Sequence, residues 1–471
     1  MTRPNILLIT TDEHNARALG YAGDPVIQTP NIDALAREGM VCHRAYTTQP
    51  LCTPARASVW TGQHVTTHGV RGNLYTGLKA GVRAGSVTFS KLLQRHGYET
   101  ALIGKRHLAF EDEDDIGLDH QDLAESKFNF NPPGVVDDYR RWLACQGRSN
   151  EEITTWERED LAEEYRKHYG AIRFPLEEQF YVDNYIGRQA VAYLRRERRK
   201  PFFLWVSFCS PHHPWDPPAR FDDMYDPKEI PLPQRRPDEL HRKPLRQLER
   251  LQNLGPGLPD TTSDPTLHVP PGEAHLKIPE GVQRKMIARY YGTVSLADER
   301  IGDIISALQQ AGLWESTIVI FTSDHGDHLG EHHLWFKGVT MYECLVRVPF
   351  VLRLPAGRAA GAQCRELVSL FDLAPTFLEW AGVPDPGTFD GISLLPLLHE
   401  PDEPIHDELF LGDRAIVTKG WKYVRNPGDA AELYHLAEDP KEQVNLSGSP
   451  ECAEVEATLR DRLSERFGPP P

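Results

Sequence analysis

The sequence predicts an α/β fold, a largely parallel sheet covered by helices, followed by a small antiparallel sheet with one helix. Three observations carry this. Short apolar runs alternate with amphipathic helical patterns through most of the 471 residues, and such runs suit strands buried on both faces. After about residue 404 the pattern changes to short strands at close spacing. The chain is also long enough for one large core plus a smaller module. The expected division is a large domain over 1–403 and a small α+β module over 404–471.

The elements follow in order. Residues 6–10 read as the first strand. Residues 87–95 read as a helix with Gly97 as its C-cap, and 100–103 as the next strand. Residues 202–208 form another buried strand. A long amphipathic pattern over 283–310 predicts a helix stopped at Gly312, with a strand over 317–321 behind it. Past residue 404 come strands at 408–411, 415–417 and 421–424 and a helix over 452–467. Between Pro214 and Pro279 prolines recur every few residues, which forbids long regular elements. This stretch reads either as a surface excursion or, because it leaves directly from a histidine-rich turn, as a loop covering a site there.

Composition bounds the function. No apolar run approaches the roughly 20 residues a membrane-spanning helix needs. The run over 5–12 ends in acid and lacks the features of a secretory signal, so a cytoplasmic location is expected. Seven cysteines, odd in number and widely spaced, suit reduced thiols rather than a disulfide framework. A net charge of −16 argues against a nucleic-acid footprint and against adhesion to anionic lipid. It leaves room for a small anionic substrate in a local basic pocket.

Four strands end in chemistry. The first ends in Asp12-Glu13-His14, the second in Gly104-Lys105-Arg106-His107, the third in Pro211-His212-His213-Pro214 and the fourth in Ser323-Asp324-His325-Gly326-Asp327-His328. In open α/β sheets ligands gather beyond the carboxyl ends of strands, so these endings are expected to converge. Asp12 and Asp324 are the natural anchors for a divalent cation, with His325 and Glu13 completing the set. His14, His213, His328, His332 and His333 read as polar loop residues, and Trp215 and Tyr342 as packing residues.

Cys52 opens the segment Cys52-Thr53-Pro54-Ala55-Arg56. Helix propensity rises from Ala55, which puts Cys52 at or just before a helix N-terminus, where backbone N–H groups favour an anion. Arg56 adds a planar cation able to hold an oxyanion. By chemistry alone, Cys52 is either an activated thiolate or the substrate of a modifying enzyme.

At this point the chain resembles the sulfatase family within the alkaline phosphatase-like superfamily. Cys52-Thr53-Pro54-Ala55-Arg56 matches that family's Cys-x-Pro-x-Arg element, whose cysteine becomes formylglycine. Gly97 to His107 resembles its second signature. The likeness continues through Pro211-His212-His213-Pro214, Ser323-Asp324-His325-Gly326 and Trp335-Phe336-Lys337-Gly338 into Glu432-Leu433-Tyr434-His435-Leu436. The resemblance implies an alkaline phosphatase-like mixed sheet flanked by helices. It implies a metal held by Asp12, Glu13, Asp324, His325 and the modified Cys52. It assigns Arg56 to fixing the nucleophile, Lys105 to holding its diol, and His107 to the elimination as base. His212 and Lys337 then bind the anion and the leaving oxygen, and Asn73 is a further anion contact.

Two departures matter. Asp12-Glu13 stands where many sulfatases have paired aspartates, and Asp324-His325 where many have Asp-Asn. The latter pair resembles choline sulfatases and phosphonate monoester hydrolases. Calcium or manganese is the expected ion, and the imidazole also accommodates zinc or iron. The implied substrate is a sulfate monoester, with a phosphonate monoester or phosphodiester as the alternative anion. An unmodified metal-binding pseudoenzyme is the third reading. The implied partner is a formylglycine-generating maturation enzyme, and the C-terminal module and the excursion are the surfaces on which a homo-oligomer would form.

Overall fold

The strand Asn5–Asp12 (β1) alternates its side chains between two apolar layers, with Leu7 and Ile9 in one and Ile6 and Leu8 in the other. That period-two division requires helices on both faces of the sheet. The computed structural model describes residues 3–74, 81–111, 115–127, 136–155, 158–252, 278–338 and 340–469. The expected loop over 214–279 and the stretch between Asn73 and Arg83 therefore lie partly outside the described residues.

The other strands of the main sheet are Met40–Cys42 (β2), Glu99–Gly104 (β3), His120–Leu123 (β4), Phe202–Pro211 (β5), Thr317–Ser323 (β6), Phe350–Arg353 (β7) and Gln363–Cys364 (β8). Their order is β8-β2-β7-β6-β1-β5-β3-β4. From β6 to β4 all neighbours are parallel, whereas β7 runs antiparallel to β6 and β2. The sheet is thus mixed, as expected for this fold class.

The helices Pro30–Glu38 (α1), Cys52–Thr61 (α2), Phe89–Arg95 (α3), Val182–Leu194 (α4), Glu280–Gln310 (α5) and Leu373–Ala381 (α6) cover the sheet. α1, α4 and α5 supply Ile32, Leu35, Tyr185, Ile186, Ile301 and Ile304 to the layer of Leu7 and Ile9. α2, α3 and α6 supply Val59, Trp60, Phe89, Leu93, Phe377 and Leu378 to the layer of Ile6 and Leu8. α2 is buried along its whole length, including Arg56 at 1% exposure. A buried guanidinium at that depth needs fixed anionic partners.

The predicted elements recur with extended ends. β1 and β6 each run two residues further toward their acidic termini than the apolar runs over 6–10 and 317–321. α3 begins at Phe89, capped by Thr88, whose side chain accepts from Lys91 N. The tail forms an antiparallel sheet of Glu408–Leu411, Ala415–Thr418, Trp421–Val424 and Glu432–His435, against which the helix Ala453–Phe467 (α7) packs Leu459 and Leu463. The strand Glu432–His435 is one the strand reading omitted. Lys422, fully buried, ties this sheet to the main body through Glu343 at 3.0 Å and pairs within the tail with Glu442 at 2.5 Å. Among the described residues, no helix is long and apolar enough to cross a membrane.

Candidate active site

The four strands whose ends carry chemistry are the adjacent set β6, β1, β5 and β3, all parallel. Their carboxyl ends therefore open on one edge of the sheet. Close approach at two of these exits admits only glycine. A Cβ on Gly104, at φ +107°, would lie 2.0 Å from Ser207 O, and one on Gly326 would lie 2.0 Å from Cys344 O. Immediately beyond β1 and β3, Glu13 (φ 65°) and His107 (φ 48°) adopt the left-handed region. Such strain in residues with a β-carbon persists where surrounding structure enforces it.

Asp12, Cys52, Asp324 and His325, all buried, offer ligand atoms that lie within 4.8 Å of one another. Cys52 is the first residue of α2 and is 1% exposed. Its Sγ stands 3.5 Å from Asp12 Oδ1, 3.2 Å from His325 Nε2 and 3.4 Å from Lys337 Nζ. Burial, followed by the Asp12 charge, pushes its thiol up to about 12 against the pull of Lys105 and Lys337. Before any metal binds, then, this cysteine is no ready thiolate.

The two aspartates divide their oxygens. Asp12 Oδ2 takes the Lys105 ammonium and Arg56 Nη2 at 3.3 Å, while Oδ1 faces Cys52. Asp324 Oδ2 takes Arg56 Nε at 3.0 Å, while Oδ1 accepts the N–H of Glu13 at 3.1 Å and that of His325 at 2.9 Å. Arg56 Nη1 donates to Lys105 O at 2.9 Å and Ser207 Oγ at 2.8 Å. The guanidinium is thereby committed to holding the carboxylates and the β3 exit. It braces the site. Burial works against the charge on Asp12, but Lys105 and Arg56 outweigh it and hold its carboxyl well below the usual range.

The imidazoles are oriented by carbonyls. His325 Nδ1 lies 2.9 Å from Gly326 O, and His212 Nδ1 lies 2.5 Å from His213 O. A carbonyl only accepts, so each Nδ1 carries the proton and each Nε2 presents a lone pair. His325 directs that lone pair at the cluster, as a metal ligand does. His212 Nε2 meets Lys337 Nζ at 2.5 Å. Burial, with Lys337 next, keeps His212 well below its ordinary pKa.

Glu13 falls in a second group with Asp12 and His212. Its Oε2 takes Lys337 at 2.9 Å, while the buried Oε1 has no hydrogen-bond partner among the described residues. Burial pushes Glu13 up to about 8 against the pull of Lys337. A lone buried carboxylate oxygen is costly, and a nearby cation would satisfy it. Two carboxylates, an imidazole and a sulfur, with this third carboxylate beside them, thus fit a divalent ion.

Other predicted residues stand further out. Asn73 Oδ1 accepts from Thr53 N at 3.0 Å and so anchors the start of α2. That places it at the start of the helix that carries Cys52. His107 is mostly buried, and its N–H donates to Glu125 Oε2 at 2.8 Å. Burial, then Lys105, holds its imidazole well below the ordinary range, so it is neutral.

Sequence reasoning missed several supports. Tyr290 of α5 donates its hydroxyl to Glu13 O at 2.9 Å and accepts from Asn15 N at 2.8 Å. Ser207, on β5, meets Arg56, and Asp183 of α4 accepts from Cys209 N at 2.8 Å and Ser210 N at 3.0 Å before His212. The residues set aside have structural partners. His14 lies between Thr11 Oγ1 and Ala18 O, and His213 meets Tyr169 O. Trp215 is packed against Phe336 and Tyr290, and Tyr342 stacks on His332.

Comparisons with known proteins give the family. A family model described as sulfatase matches residues 4–383, and one described as N-sulphoglucosamine sulphohydrolase, C-terminal, matches residues 330–467. An arylsulfatase of Clostridium perfringens is 30% identical, over 98% of this chain and 94% of its own length. A choline-sulfatase of Rhizobium meliloti is 30% identical, over 97% of this chain and 85% of its own. The crystal structure of a phosphonate monoester hydrolase of Agrobacterium radiobacter has a TM-score of 0.78 at 24% identity, covering 98% of this chain and 95% of that one. At that identity the likeness speaks for the fold. Because the family match runs from the first strand to beyond the last strand of the main sheet, the chain belongs to the sulfatase family and is a sulfuric ester hydrolase.

Proposed function

We propose that this protein hydrolyses sulfate monoesters with a formylglycine made from Cys52 by a maturation enzyme, releasing inorganic sulfate and an alcohol or phenol. The observation that carries the reading is the placement of Cys52 Sγ, 3.5 Å from Asp12 Oδ1, 3.2 Å from His325 Nε2 and 3.4 Å from Lys337 Nζ. A thiol pushed up by burial is a poor nucleophile there, whereas an oxygen at the same point lies among cations and metal ligands. Hydrated, the aldehyde supplies a geminal diol, one hydroxyl to attack sulfur and a second whose electrons expel sulfate as the aldehyde re-forms.

Asp12, Asp324 and His325, with the residue at 52 and Glu13 beside them, would hold a divalent cation, whose charge would acidify the attacking hydroxyl and polarise the ester oxygens. Lys105 and Arg56 keep Asp12 ionised, and Arg56 also orients Asp324 for that ion. Lys337 and His212, in contact with each other, hold the ester oxygens and deliver a proton to the departing alcohol. His107, kept neutral, takes the proton of the second hydroxyl as the bond to sulfate breaks.

Parallel assays on 4-nitrophenyl sulfate and on a phenyl phosphonate monoester test the anion, and faster cleavage of the phosphonate ester would overturn the preference for sulfate. Intact mass tests the nucleophile, since conversion to the aldehyde changes the residue mass. Full activity in Cys52→Ala would sink the covalent route.

A further inference from the structure

Glu125 follows β4 and stands against the turn that carries His107. Its Oε2 accepts the His107 N–H at 2.8 Å and lies 3.9 Å from His107 Nδ1. The first contact braces a residue whose φ is +48°, a conformation that costs free energy without support. The second faces one ring nitrogen with a carboxylate, which favours the proton on that nitrogen and a lone pair on the other. Glu125 is itself fixed, because its N–H donates to Asp137 Oδ2 at 3.0 Å, and Asp137 pairs with Arg140 at 2.5 Å. The mostly buried side chains of His107 and Glu125, 11% and 16% exposed, limit competition from water for this contact.

We propose that Glu125 is the positioning residue of His107, holding its strained backbone and keeping its proton on Nδ1 so that Nε2 is the basic nitrogen. This rests on the reading of His107 as the base of the elimination step. Glu125 touches neither the nucleophile nor the ester, so its effect falls on release of the inorganic anion and not on departure of the alcohol.

Glu125→Gln is the informative variant, because its amide oxygen can still accept the backbone N–H while the charge is gone. Imidazole nitrogen NMR on protein carrying Cys52→Ser reads the tautomer without turnover. Nδ1–H is expected with Glu125 and a mixture with Gln. In the matured enzyme Glu125→Gln is expected to lower kcat about 10- to 100-fold. KM should fall in parallel, so that kcat/KM holds. A burst of alcohol equal to the enzyme should precede slow turnover. An unchanged tautomer, or a fall in kcat/KM as large as that in kcat, would overturn the proposal. His107→Ala separates the two levels. If it shows no burst, the base assignment itself fails. If it shows the burst and Glu125→Gln does not, only the role of Glu125 fails.

Discussion

Arg56 and Asp324 meet through a single Nε–Oδ2 contact of 3.0 Å, with both side chains almost entirely buried. The same guanidinium reaches Asp12 at 3.3 Å, so one cation aligns carboxylates from two different strands. Removing one partner of a buried pair leaves the other uncompensated, which costs about 3–5 kcal/mol. Arg56→Ala is therefore expected to lower stability by that order in denaturant unfolding and to weaken metal binding by isothermal titration. Arg56→Lys keeps the charge without the fork and should recover only part of either property. Wild-type metal affinity in Arg56→Ala would refute the bracing role.

The Tyr290 hydroxyl holds the turn at Glu13 from both sides, donating to Glu13 O and accepting from Asn15 N. Tyr290→Phe leaves both backbone groups without this partner in a buried place, at a cost of about 1–3 kcal/mol. The loss should appear twice, as a lower unfolding midpoint and as a lower kcat, because Glu13 stands in the left-handed region and touches Lys337. An effect on stability with kcat unchanged would show that the turn keeps its geometry without the hydroxyl.

Asp216 lies behind the His212 turn, 2% exposed, 3.6 Å from Lys127 and 3.2 Å from the Tyr181 hydroxyl. Burial raises it from its ordinary 3.8 to about 7, with Lys127 pulling the other way. The folded protein thus binds this proton more tightly than the unfolded chain does. Its contribution to stability is fully present below about pH 4 and is lost as pH rises toward about 7. Asp216→Asn, neutral throughout, should flatten that slope by on the order of 2–4 kcal/mol across the window. Denaturant unfolding of both proteins at several pH values checks it, and parallel pH dependences would contradict the assignment.

What was legible in the sequence was chemistry carried at strand ends. Asp12, Lys105, His212 and Asp324 each close or follow an apolar run, and one topological rule, that parallel strands share a carboxyl edge, gathers them. Cys52 was legible through Pro54 and the helix-forming residues behind it. The supports were not. Tyr290 is one aromatic among the buried positions of a long helix, and Ser207 is one small residue inside a β5 apolar run. Glu125 sits beyond a short, half-buried strand with no periodic pattern. Their partners are backbone or side-chain atoms far away in sequence, so no local spacing announces them. The contact of Asn73 with Thr53 N across a loop was illegible for the same reason, since it leaves no trace in composition. The strand Glu432–His435 was visible as a motif, but its pairing with Trp421–Val424 depends on the turn between them.

Replacing Cys52 by serine tests whether the proposed diol is needed. A serine oxygen would occupy nearly the place of Sγ, within reach of Lys337 and His325, and it can attack sulfur once the ion and Lys337 lower the cost of its ionisation. It has only one oxygen. After the alcohol leaves, no second hydroxyl can re-form a carbonyl and push sulfate out, and His107 has no proton to take. Water must then attack a buried, anionic group. Cys52→Ser, with intact mass verifying that serine persists, is expected to release about one equivalent of alcohol and then stall. Cys52→Ala should release none. Sustained turnover by the serine variant at the parent rate would mean that the second hydroxyl is dispensable and that hydrolysis runs through water.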